Sequence, residues 1–216
     1  MAAEPATLLV VDVPDAPGLA HLTHAAGEAA AVAAVRPGGC TTRSGATWAE
    51  FARVAPDHDV WHIACHGHAE PHAIMESRLA FADRQVTIND LRDRFPFAPR
   101  RLAIVSACDM HTTGTDLPNE TIGLPSALLQ LGFAGVIAAS WPVNDRATAY
   151  LMVRFHREWR RGEVHPAVAL TTAQRWLRDA TPADLVALAP GLRPPDDGPR
   201  PFAHPVFWAA FAYTGG

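Results

Sequence analysis

The chain is 216 residues long, 49% hydrophobic and 19% charged, which suits one globular domain and excludes a disordered chain. Its net charge is −4 and it has no basic stripe, which excludes nucleic acid as the main partner. No apolar run is long enough to span a membrane, and the acidic, Pro-containing N-terminus lacks the order of a signal peptide. In such a chain Cys40, Cys65 and Cys108 are expected to be reduced thiols in the cytoplasm, not a disulfide frame. All 18 basic residues are Arg, and with the abundance of Ala and Pro this points to a GC-rich bacterial genome.

In chain order, Thr7–Val13 is a short apolar run closed by Pro14 and predicts a buried strand. Gly18–Val35 is Ala-rich and stops at Pro37-Gly38-Gly39, which predicts a helix. Thr47 and Glu50 fit a capping box opening a helix to about Val54. Val60–Cys65 is the next strand, Leu79–Ala82 and Gln85–Ile88 suit a small hairpin, and Asn89–Arg94 one or two helical turns. Leu102–Ser106 predicts a buried strand, Ile122–Leu131 a helix ended by Gly132, and Val136–Ser140 another buried strand. Two helices follow, Asp145–Arg161, with Asp145 placed to cap it, and Pro166–Arg178, before a Pro-rich loop and an apolar tail, Pro205–Tyr213, expected to dock on the core. Short apolar strands alternating with helices predict an α/β fold with a mostly parallel sheet covered on both faces.

In such sheets, sites lie beyond the C-terminal ends of the strands. Two strands deliver reactive residues there: His66-Gly67 follows Val60–Cys65, and Cys108 follows Leu102–Ser106. A cysteine nucleophile needs a histidine that takes its proton or holds its thiolate. If the two strands are neighbours, their ends lie about 5 Å apart, within side-chain reach. The N–H groups of Gly67 and Cys108 then suit an oxyanion hole.

The stretches His62–Ala69 (HIACHGHA), Val105–Asp145 (with VSACDMH and GLPSALLQLGFAGVIAASWPVND) and His204–Gly215 (HPVFWAAFAYTG) resemble the CHAT domain. This is a caspase-, separase- and gingipain-like cysteine peptidase group often found with tetratricopeptide repeats. The resemblance covers about residues 7 to 215 and implies a three-layer caspase-like fold, with a single domain over 1–216 that lacks part of the usual N-terminal region. It implies a cysteine endopeptidase with His66 as general base and Cys108 as nucleophile. Asp145 would receive a basic P1 side chain, the residue before the scissile bond, with Trp141 as a wall; Asp109, Asp116 and Glu120 are further acids near the cleft. Capping and substrate binding remain alternative roles for Asp145. No cofactor or metal is implied. The partners implied are a protein substrate and an activating or repeat-containing protein, in bacterial regulation or defence. After Cys108 the chain departs from its relatives with Met110-His111, which sets a histidine near the thiol.

Two other readings compete. His62, His66, His68 and His72 with Cys65 resemble a metal-ligand cluster, but Glu70 and Pro71 stand where a metallo-β-lactamase-like motif needs Asp and His. A catalytically silent pseudo-peptidase serving as an interaction module is the non-enzyme alternative. His62 is expected to pack in the core, and Cys65 to point away from His66.

Overall fold

The computed structural model describes residues 7–35, 39–68, 70, 73–95, 97–106, 123–160, 164–195 and 198–216. In chain order the elements are β1 (Leu8–Asp12), α1 (Ala25–Val35), β2 (Cys40–Ser44), α2 (Trp48–Val54), β3 (Val60–Ala64), β4 (Gly67–His68), β5 (Arg78–Ala80), β6 (Gln85–Thr87) and α3 (Ile88–Arg94). They continue with β7 (Arg100–Val105), α4 (Gly123–Gln130), β8 (Phe133–Ala139), α5 (Asp145–Arg160), α6 (Pro166–Asp179), α7 (Pro182–Leu188), α8 (Pro205–Trp208) and β9 (Phe211–Gly215).

Six strands form one sheet in the order β2-β1-β3-β7-β8-β9. The pairs from β2 to β8 are parallel, and β9 runs antiparallel along β8. Alternation along each strand sends side chains to both faces. Leu8, Val10, Val60, Leu102, Ile104, Ile137 and Ala139 pack with α1, α5, α6 and α7 on one face. Leu9, Val11, Trp61, Ile63, Ala103, Val105, Val136 and Ala138 pack with α2, α3 and α4 on the other. The result is the expected three-layer α/β architecture, and it explains why the central strands read as continuous apolar runs rather than alternating ones.

Aromatic rings fill the second layer: Phe51 meets Trp61 edge-on at 5.0 Å and Trp61 meets Phe133 at 4.9 Å. The Arg100 guanidinium lies 4.8 Å from the Trp61 ring centroid and donates to the Leu131 carbonyl at 3.1 Å, so a nearly buried cation is partnered. Burial holds the Arg100 guanidinium below its ordinary pKa.

Several elements follow the sequence closely. The Thr47–Glu50 capping box opens α2, the small hairpin forms as β5 and β6, and the apolar tail docks as α8 and the edge strand β9. Three differ. The predicted helix over Gly18–Val35 begins only at Ala25, because the segment before it is closed by turn bonds, Leu19 N–H to the Ala16 carbonyl and Leu22 N–H to the Pro14 carbonyl. Strand β2 has the polar sequence Cys-Thr-Thr-Arg-Ser and therefore no apolar signal; as an edge strand it needs none. Helix α7 is a further element, opened by a capping box between Thr181 and Asp184.

Gly132 links α4 to β8 with φ +98°, and a Cβ there would fall 2.3 Å from the Ala98 carbonyl oxygen. Gly132→Ala combines left-handed strain with a backbone clash. We expect a loss of about 2 kcal/mol or more, read as a fall in Tm of at least about 4 °C.

Candidate active site

Strands β3 and β7 are hydrogen-bonded neighbours with Ile63 opposite Val105. The Ser106 N–H donates to the Ile63 carbonyl at 3.0 Å and extends the ladder past β7. His66 follows Ile63 by the same number of residues as Cys108 follows Val105. The adjacency that the dyad requires is therefore present at its strand ends. Cys108 itself, with Asp109, His111, Asp116 and Glu120, lies outside the described residues.

His66 is 3% exposed, and its Nε2 lies 2.7 Å from the Ala20 carbonyl oxygen. A carbonyl only accepts, so Nε2 carries the proton and Nδ1 is the basic nitrogen of the neutral ring. Ala20 belongs to the turn-rich segment that the sequence suggested as helix. Its carbonyl orients the imidazole, and no local motif announces it.

Gly67 opens β4, the edge of a three-stranded antiparallel sheet with β5 and β6. It pairs with Leu79, while the Ala80 N–H donates to the His66 carbonyl at 2.9 Å. That bond flanks Gly67–Leu79 and makes it a non-hydrogen-bonded pair, so the Gly67 N–H points away from β5. This orientation is the one an oxyanion-hole donor needs.

A cleft of about 540 Å³ opens beside His66. Its walls come from Ala20–His24, Ser106, Pro142–Arg146, Phe202 and Phe207. The two roles weighed for Asp145 separate here. Asn144 caps α5, its Oδ1 accepting from the Ala147 N–H at 3.0 Å. Asp145 is the next residue, lines the cleft, and accepts from the His24 N–H through Oδ2 at 2.7 Å. Trp141 does not line this cleft; it is 37% exposed, and its Nε1 donates to the Val206 carbonyl at 3.4 Å. The wall expected from Trp141 is formed instead by Pro142 and Val143. Arg146 shares the cleft and its Nε lies 3.3 Å from His24 Nε2. Burial pushes the His24 imidazole below its ordinary pKa; Asp145 acts against that shift and Arg146 with it.

Beneath the cleft lies a polar cluster inside the apolar layer. His62 Nε2 meets Glu28 Oε1 at 2.7 Å, and His62 Nδ1 meets His156 Nε2 at 3.0 Å. Ser106 Oγ lies 3.5 Å from His62 Nε2, at the long limit of a hydrogen bond. Glu28, His62, Ser106 and His156 are all buried and come from α1, β3, the end of β7 and α5. His62 is thus packed, as expected, but as the hub of a polar network rather than among apolar side chains.

The metal reading finds no convergent ligands. His62 is engaged by Glu28 and His156, Cys65 packs in the opposite layer, His66 is tied to Ala20, and His68 lies 3.9 Å from Glu70. His72 lies outside the described residues, and among those described no group of three His, Cys, Asp or Glu side chains could hold a metal ion.

The parallel sheet, its helical layers and the histidine beyond β3 define an α/β fold of the caspase type. A solved structure described as that of pro-sf-caspase-1 matches with a TM-score of 0.52 and 13% identity, over 98% of this chain and 92% of that one. The CHAT domain family model matches residues 1–216, and the chain belongs to that family. No curated protein matches the sequence. Among the described residues no helix is long and apolar enough to cross a membrane.

Glu28 and His62 are an essentially buried pair. Glu28→Ala removes the close partner of His62 Nε2 while His156 still engages Nδ1, and we expect about 1–3 kcal/mol of lost stability by chemical denaturation. A conservative Glu28→Gln keeps an acceptor for His62 and should lose less.

Proposed function

We propose that the protein is a cysteine endopeptidase that uses a Cys108–His66 dyad to cleave protein substrates after a basic residue. The observation that carries this reading is His66, held by the Ala20 carbonyl at the end of β3, beside the strand whose continuation bears Cys108. Membership of the CHAT family and the caspase-like fold support it.

In the proposed reaction His66 Nδ1 takes the Cys108 thiol proton, and the thiolate adds to the scissile carbonyl carbon. The N–H groups of Gly67 and Cys108 hold the resulting oxyanion. As the oxyanion collapses, the C–N bond breaks and His66 returns the proton to the leaving amine, which leaves a thioester on Cys108. Water then attacks the thioester; its proton passes through His66 to the departing thiolate, and a carboxylic acid is released. Asp145, on the cleft wall with one oxygen anchored by the His24 N–H, receives the guanidinium or ammonium of the residue before the scissile bond. The family resemblance supports a place in bacterial regulation or defence, in the cytoplasm, with activation by a partner protein.

Cys108→Ala and His66→Ala should each reduce cleavage of internally quenched peptides with Arg before the scissile bond by at least about 10³-fold, with circular dichroism unchanged. An arginyl chloromethylketone should label Cys108. Retained cleavage in Cys108→Ala overturns the mechanism; no cleavage and no adduct with the wild-type protein and its partner favour an interaction module instead. Asp145→Ala should raise KM for the Arg peptide about 10-fold or more, with a smaller effect on kcat.

A further inference from the structure

His66 has a pocket on each side. The second, of about 390 Å³, is lined by Leu19, Ala20, Gly67, His68, Arg78 and Gln85 together with His66. Ala20 and His66 line both pockets and form the wall between them. The two differ in their ionic groups. The first contains Asp145 beside Arg146, whose Nε donates to His24 Nε2 at 3.3 Å; the second contains Arg78 and His68 and, among its described lining residues, no carboxylate.

The neighbouring charges bear this out. Arg78 is an exposed residue on β5 with no ion-pair partner among the described residues, whereas nearby Arg84 pairs with Asp90 at 3.5 Å. Glu76 accepts from Asn89 Nδ2. Glu70 lies 3.9 Å from His68 and outside the lining. Among the described residues the Arg78 guanidinium therefore has no carboxylate partner, and it lines a pocket together with the proposed oxyanion donor, Gly67.

The proposed reaction assigns a side of the scissile bond to each pocket. Ser106, just before Cys108 in the chain, lines the first pocket and not the second. The acyl half of the substrate, which bonds to Cys108, therefore belongs with the first. His66 hands its proton to the leaving amine, and beyond His66 lies the second pocket. Resting on the peptidase reading, we propose that this second pocket is the leaving-side subsite and that Arg78 selects an acidic side chain in the first or second residue after the scissile bond. The substrate class is then a protein segment with a basic-to-acidic charge step, Arg or Lys followed by Asp or Glu. The step matches Asp145 on one side of His66 and Arg78 on the other.

Three internally quenched peptides test this, identical except for Glu, Ala or Lys at both positions after Arg. For the wild-type protein kcat/KM should follow Glu above Ala above Lys, with a Glu-to-Lys ratio of about 10 that shrinks as salt is raised. Arg78→Glu should bring that ratio below 1. A wild-type ratio near 1, or a ratio that Arg78→Glu leaves unchanged, overturns the subsite. Binding of the Glu and Lys peptides to Cys108→Ala by calorimetry reads the pocket without turnover. Preference for Glu there supports the subsite even if the wild-type protein cleaves nothing, which would sink the peptidase reading alone. Equal binding of the two overturns the subsite even if cleavage is robust.

Discussion

The geometry of the site depends on the ladder between β3 and β7. Ile63 faces Val105 in parallel register, and the Ser106 N–H continues the ladder to the Ile63 carbonyl. Any slip in that register would move His66 relative to Ser106 at the end of β7 and would also turn alternate side chains to the wrong face. The register is held by burial on two sides, with Trp61, Ile63, Ala103 and Val105 in one layer and Val60, Leu102 and Ile104 in the other. A sheet covered on both faces resists sliding because every apolar side chain has a place to lose.

The segment between β1 and α1 does a second job. It closes over the end of the sheet through turn bonds rather than helical ones, presents the Ala20 carbonyl to His66, and divides the space around the imidazole into two pockets. One backbone carbonyl thereby orients the imidazole at the boundary of both pockets. Its continuation offers the His24 N–H to Asp145, so the same segment braces the carboxylate on the opposite wall.

Below these surfaces the Glu28–His62–His156 chain crosses from α1 through β3 to α5. Apolar packing alone would allow these helices to settle in more than one way on a smooth sheet face. Directional bonds between buried polar groups allow far fewer arrangements, and the contact with Ser106 brings the end of β7 into the same network.

Much of this was legible in the sequence. Apolar runs of strand length, separated by capped helices, determine a two-sided parallel sheet, because no other arrangement buries both faces of each strand. His66-Gly67 and Cys108 were legible as a pair because each follows such a run. Asp145 stood out as an acid, but its role was ambiguous between cap and ligand; only the tertiary structure gives the cap to Asn144 and turns Asp145 to the cleft. Ala20 carries no signal, since its contribution is a carbonyl oxygen and every residue has one. His62 looked like a packed core histidine because its partners, Glu28 and His156, are distant in the chain. Arg78 carries no local signal; it comes to line a pocket with His66 only because β5 pairs with β4. Local order was in the sequence because it rests on neighbouring residues; these roles rest on contacts across the fold, which exist only once the layers close.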